Sequence, residues 1–155
     1  MIKNLIRKND VNSLVRQLKK NGNIIIFTNG VFDIIHRGHI DYLSKAKAYG
    51  DVLIVGLNTD ASVRRFKGNM RPINKQNDRA IVLLALKMID YVVFFGEDRP
   101  DKLIRMIKPD LLVKGADYKI NEIAGADFVK SYGGKVKRIK LTKGYSTSNI
   151  IKDLC

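Results

Sequence analysis

The chain has 155 residues, a single cysteine at Cys155 and a formal charge of +14. That length suits one domain with a real core. No apolar run approaches the roughly 20 residues of a membrane span, and a lone cysteine excludes an internal disulfide and a CxxC metal cluster. The charge attracts polyanions, but sparse aromatics and no tryptophan give little support to a base-stacking nucleic-acid surface.

In chain order, "MIKNLIRKND" has basic residues without an uninterrupted apolar stretch behind them and does not read as a secretory signal. The expectation is a cytoplasmic protein. Asp10 is placed to cap a first helix with Val11, Leu14, Val15 and Leu18 at helical spacing, ended by Asn21-Gly22. "NIIIFT" reads as a buried parallel strand, followed by a helix from about Gly38 to Ala48, closed by Gly50. "DVLIVGLN" is a second buried strand, and "TDASVRRF" a short helix capped by Thr59 or Asp60. Lys67 to Asp78, with Gly, Pro and Asn, reads as a loop before an apolar helix, "RAIVLLALKMI". Then come strand "YVVFF", helix "RPDKLIRMIK" with proline near its first turn, strand "DLLVKG", helix "INEIAGADFVKSYG", strand "KVKRIKL" and a last helix "STSNIIKDL" capped by Ser146 or Thr147.

Strands alternating with helices predict an α/β fold: a Rossmann-like, doubly wound parallel sheet of five strands with helices on both faces. The expected organisation is a single domain over residues 1–155, an N-terminal helix within 1–22 and a core over 23–155.

Both histidines of the chain lie in "TNGVFDIIHRGHIDYL". In an open α/β sheet, ligands bind beyond the carboxyl ends of strands. "TNGVFD" leaves the first long strand at that edge, and Gly30 lets backbone approach a ligand. His36 and His39 then open a helix whose N-terminus suits phosphate. Residues three apart share a helix face, and Gly38 has no side chain to intervene. Two imidazoles there can donate hydrogen bonds to oxygens on which charge develops during phosphoryl transfer. The alternatives are two ordinary cap histidines, or a zinc site that lacks thiolates and a third ligand.

His36-Arg37-Gly38-His39 resembles the HxGH motif of the nucleotidylyltransferase superfamily, and "TNGVFDIIHRGHIDYLSKAKAYGDVLIVGLNTD" resembles the opening of its cytidylyltransferase-like branch. "GYSTSNII" resembles the superfamily's second signature, a Ser/Thr-rich turn before the last helix. Within the branch, "NTDASVRRFKG", "RPIN", "PDLLVKGADY" and "EIAGADFV" look like the nucleotidylyltransferase of ADP-heptose synthesis, which often follows a sugar kinase half; a free-standing version is the expectation here. Cytidylyltransferases acting on alcohol phosphates tend to carry an "RTxG"-like run before the Ser/Thr signature. Here the run is Leu141-Thr142-Lys143-Gly144, and lysine lacks arginine's bidentate fork.

The resemblance implies transfer of a nucleotidyl group, with AMP from ATP as the leading choice, to D-glycero-β-D-manno-heptose 1-phosphate; the alternatives are GTP with the same heptose, or CTP with glycerol 3-phosphate. Pyrophosphate is released and magnesium accompanies the triphosphate. The partners implied are these small molecules, with no nucleic acid and no membrane, in a homodimer. It implies catalytic roles for His36 and His39, and phosphate-holding roles for Lys67 and Arg79, whose alternative is surface charge. Thr28, Asn29, Gly30, Phe32, Asp33 and Gly38 would lie at the triphosphate, with Asp33 equally a turn cap. Lys114, Gly115 and Asp117 would approach the nucleotide, as would Ser146, Thr147 and Ser148. Asp60 would touch the acceptor or cap a helix. No protein side chain is assigned to a metal.

Overall fold

The computed structural model describes residues 2–155. Its strands are β1 (Leu5–Ile6), β2 (Ile25–Gly30), β3 (Val52–Asn58), β4 (Tyr91–Phe95), β5 (Leu111–Gly115) and β6 (Lys135–Ile139). Its α-helices are α1 (Val11–Lys20), α2 (Arg37–Lys47), α3 (Asp60–Lys67), α4 (Gln76–Leu84), α5 (Asp101–Ile107), α6 (Ala126–Ser131) and α7 (Thr147–Leu154). The six strands form one parallel sheet in the order β1-β4-β3-β2-β5-β6.

All seven residues of β3 are buried, and β2 runs buried from Ile25 to Thr28, as central strands covered on both sides require. Alternate residues feed opposite faces. Ile25 and Phe27 pack with Val15, Leu103, Ile107 and Val129 under α1, α5 and α6. Ile26 packs with Leu43, Ala46, Ala80 and Leu83 under α2 and α4. Each of the Val, Leu, Ile and Phe side chains among these contributes about 1.5–3 kcal/mol by leaving water.

The sheet holds six strands rather than five. The added edge strand pairs Leu5 with Val92 and Ile6 with Val93; two residues are too few to show a period in sequence. It ties the N-terminal segment into the sheet, and Val11, Val15 and Leu18 of α1 join the core. Two helices also differ from the sequence reading. α4 starts at Gln76, inside the expected loop, and stops at Leu84 although apolar residues continue to Ile89. Leu86 and Ile89 are held in turns there, and Met88 and Ile89 are buried without helix. The expected helix from Ile120 is a 3-10 turn (Ile120–Glu122) followed by α6. Gly125 separates them at φ 77°, and a Cβ there would stand 2.7 Å from Cδ1 of Ile104, so both its backbone and its packing demand glycine.

Strand order reverses between β2 and β5. The carboxyl ends of these neighbours, Gly30 and Gly115, therefore open the crevice where a ligand can enter.

Candidate active site

Two adjoining cavities open at that switch point. The first, about 400 Å³, is walled by the β2 exit, the start of α2, Lys114 to Tyr118 after β5, and Leu141 to Ser148. The second, about 520 Å³, lies toward α3 and includes Asp33, Asn58, Phe66, Lys67, Arg71 and Asp98. Asn29, Gly30, Phe32, His39, Lys67, Lys114 and Thr147 border both.

His36 is the N-cap of α2 and His39 its third residue. The His36 N–H donates to Nδ1 of His39 at 3.3 Å, and the rings stack with centroids 3.8 Å apart. A neutral imidazole carries one proton, so acceptance at Nδ1 assigns it to Nε2. Burial, with a smaller contribution from His36, pushes the His39 pKa down to about 4; burial also lowers that of His36. At neutral pH both rings are therefore uncharged N–H donors. Bound phosphate opposes that shift by favouring imidazolium. Nδ1 of His36 is buried and without a hydrogen-bond partner among the described residues.

Close packing holds this pair. A Cβ on Gly38 would stand 3.0 Å from Cε1 and Nδ1 of His36 and from Cβ of Tyr145. Phe32, 5.3 Å from the His39 ring between centroids, adopts φ 47°. That left-handed conformation costs a bulky residue about 1–3 kcal/mol and turns the chain from β2 toward α2.

Several expected ligand-binding residues hold protein instead. Arg79 is 1% exposed and borders neither cavity. Its Nε donates to the Asn74 carbonyl at 3.0 Å, Nη1 to Val31 at 2.7 Å, and Nη2 to the Asn58 carbonyl at 2.9 Å and Asp60 at 2.7 Å. This corrects its reading as a phosphate ligand: four partners and burial leave no face for one. Asp60 is likewise drawn to Arg79 and lines neither cavity, while Thr59 caps α3 by accepting from the Ser62 N–H. Thr28 is fully buried with its hydroxyl 2.8 Å from that of Tyr42, so it is not a ligand contact.

Asp33 resolves as a loop anchor. Its carboxylate accepts from Arg71 Nε at 3.0 Å and from the backbone N–H groups of Ile73 and Asn74 at 2.8 Å each. This pins the segment between α3 and α4 beside the β2 exit and holds Arg71 over the second cavity. Lys67, at the end of α3, has its pKa lowered by burial and by Arg71, against an opposing contribution from Asp33.

Gly115 and Asp117 line the first cavity, with Ser146, Thr147 and Ser148. Ser146 Oγ accepts from the Asn149 N–H at 3.4 Å, and the Thr147 hydroxyl donates to the Ile34 carbonyl at 3.1 Å. α7 buries none of its residues, so Thr147 is a polar attachment of this helix to the β2–α2 turn. Lys114 reaches back from β5, donating to the Asn29 carbonyl at 3.1 Å.

Sequence reasoning gave Arg71 no role, although it opens the "RPIN" segment that carries part of the resemblance. It also passed over Tyr42, Tyr118 and Tyr145; only Tyr145, directly before the Ser/Thr run, carried a positional signal. Among the described residues no group of three or more His, Cys, Asp or Glu side chains is arranged to hold a metal, and no helix is long and apolar enough to cross a membrane.

Residues 27–153 match the family described as cytidylyltransferase-like. The chain is 52% identical over 150 residues, 97% of its length, to the bifunctional protein HldE of Wolinella succinogenes. It is 54% identical over 141 residues, 91% of its length, to the protein of the same name from Campylobacter jejuni. It spans 31% and 30% of these relatives, about a third of their length. Among solved structures, the lipopolysaccharide core biosynthesis protein of Thermoplasma volcanium is 34% identical with a TM-score of 0.63, covering 81% of this chain and 100% of that one. Pantoate-beta-alanine ligase of Francisella tularensis, 19% identical, shares the fold at a TM-score of 0.61, over 95% of this chain and 76% of that one.

Proposed function

The chain belongs to the cytidylyltransferase-like family of nucleotidyltransferases, and on that premise we propose that it transfers AMP from ATP to D-glycero-β-D-manno-heptose 1-phosphate, forming ADP-heptose. The observation that carries the reading is the pair of cavities meeting at His39, Lys67 and Lys114. Two polyanionic substrates need separate pockets that share a reactive boundary. The first cavity is assigned to the nucleotide and the second to the sugar phosphate. The "VKGADY" and "EIAGADFV" segments and the similarity to a lipopolysaccharide core biosynthesis protein favour the heptose acceptor.

In this reading an oxygen of the acceptor phosphate attacks the α-phosphorus of ATP in line. The bond to the bridging oxygen breaks, and pyrophosphate leaves with the electron pair. No covalent enzyme intermediate is needed, so catalysis is positioning and charge neutralisation. The N–H of His39 Nε2 faces the charge that develops on the phosphoryl oxygens, with His36 beside it. Arg71 and Lys67 hold the acceptor phosphate. Asp117, Gly115 and the hydroxyls of Ser146 and Ser148 meet the nucleotide.

Magnesium fits this wall. Asp117 is the carboxylate residue bordering the first cavity, which Thr142, Ser146 and Ser148 also line. Such a sparse oxygen set suits an ion that keeps its waters and takes most of its ligands from substrate phosphates. When bound it would neutralise triphosphate charge.

The test is pyrophosphate release with magnesium, crossing ATP, GTP and CTP against heptose 1-phosphate and glycerol 3-phosphate. Release with ATP and the heptose phosphate is expected. GTP in place of ATP would change the base alone, and activity with CTP and glycerol 3-phosphate would overturn the acceptor.

A further inference from the structure

Of the two lysines bordering both cavities, Lys67 is exposed at the end of α3, whereas Lys114 stands on β5 in the sheet itself. Lys114 crosses the switch point to β2. Its Nζ donates one hydrogen bond to the Asn29 carbonyl at 3.1 Å and lies 4.9 Å from the centre of the Tyr118 ring. Among the described residues it forms no ion pair within 4.0 Å, since its carbonyl and aromatic partners are neutral. An ammonium has three N–H donors, so two stay available to a ligand at the boundary of the cavities.

The α-phosphoryl group alone belongs to both substrates during transfer, bonded to the departing pyrophosphate and approached by the acceptor oxygen. A fixed cation in contact with both cavities meets that group. We propose that Lys114 is a catalytic residue that donates to a non-bridging oxygen of the transferred α-phosphoryl and neutralises the charge growing there. This rests on the nucleotidyl-transfer reading above and adds a role beyond general nucleotide contact. Burial lowers the Lys114 pKa to about 8, with Asp117 partly opposing, so the ammonium persists at neutral pH. A partly desolvated cation acts on nearby charge more strongly than one in water.

The experiment compares wild type, Lys114→Met and Lys114→Arg, with steady-state kinetics for ATP and acceptor and separate ATP binding by calorimetry. Methionine keeps an unbranched chain, one atom shorter, and removes the half-buried charge; thermal melts check folding, and Lys114→Gln serves if the methionine variant does not fold. Expected is a kcat lower by roughly a hundredfold, the scale for losing one transition-state donor, with ATP affinity within about threefold and partial recovery in Lys114→Arg. The two diastereomers of ATP thiolated at the α-phosphorus give a second readout. Wild type should prefer one, and Lys114→Met should lose that preference. Weaker ATP binding at unchanged kcat, or a diastereomer preference that survives the substitution, would overturn the assignment. An active wild type with an unaffected variant removes this proposal alone. A wild type silent with every nucleotide and acceptor pair removes it together with the proposed function.

Discussion

The backbone N–H of His36 caps Nδ1 of His39, so the two histidines form one unit in which the first sets the tautomer of the second. Replacing His39 by Asn retains an acceptor close to the Nδ1 position but deletes the Nε2 donor. We expect His39→Asn to fold and to lose turnover by about a hundredfold or more. His36→Ala should lose a comparable amount. Wild-type pyrophosphate release from folded variants would remove both residues from the chemistry.

The same unit makes stability depend on pH. The His39 pKa falls from 6.5 to about 4 on folding. Between those values the unfolded chain binds more protons than the native one, so stability rises with pH. The contribution is fully present above about 6.5 and is lost as pH falls through about 4. Urea midpoints between pH 7 and 4 should drop more in wild type than in His39→Asn. Parallel pH profiles would contradict the depressed pKa.

Arg79 should behave as a brace. Removing it strands the Asp60 carboxylate and the Val31, Asn58 and Asn74 carbonyls near the core. Arg79→Leu should destabilise by about 3–5 kcal/mol, the scale for breaking a buried ion pair from one side. Urea unfolding measures this directly. A phosphate ligand would instead leave stability nearly unchanged and alter only substrate affinity.

Thr147→Val keeps the volume and removes the hydrogen bond to the Ile34 carbonyl. With no buried residue on α7, this loss of about 1 kcal/mol should loosen the helix on the first cavity. A several-fold rise in the KM for nucleotide is the expected result. Unchanged kinetics and binding would leave Thr147 as a plain part of the helix start.

Gly38→Ala inserts a Cβ 3.0 Å from the His36 ring and from Tyr145. Helix propensity alone predicts a slight gain in stability. The crowding predicts a lower rate, by tenfold or more if the rings shift by about 1 Å. An alanine variant with wild-type kcat would show that the pair tolerates displacement.

The sequence by itself determined the alternation of buried strands and helices, because apolar runs such as "DVLIVGLN" report burial on both faces. It also determined the His36–Gly38–His39 motif and narrowed the cap of α7 to Ser146 or Thr147, because spacing along one helix and a residue before its first turn are local properties; the structure chose Ser146. Tertiary structure alone decided which charged groups remain free for a ligand. Arg79 and Lys114 look alike in sequence, but Arg79 meets four backbone and carboxylate acceptors inside the molecule, whereas Lys114 meets one carbonyl and a ring at the cavity boundary. Asp33 and Arg71, 38 residues apart, become partners only because the segment after α3 folds back onto the β2 exit. The two-residue edge strand exists for the same kind of reason: Leu5 and Ile6 are extended because β4 offers them unpaired backbone, which is a property of the assembled sheet.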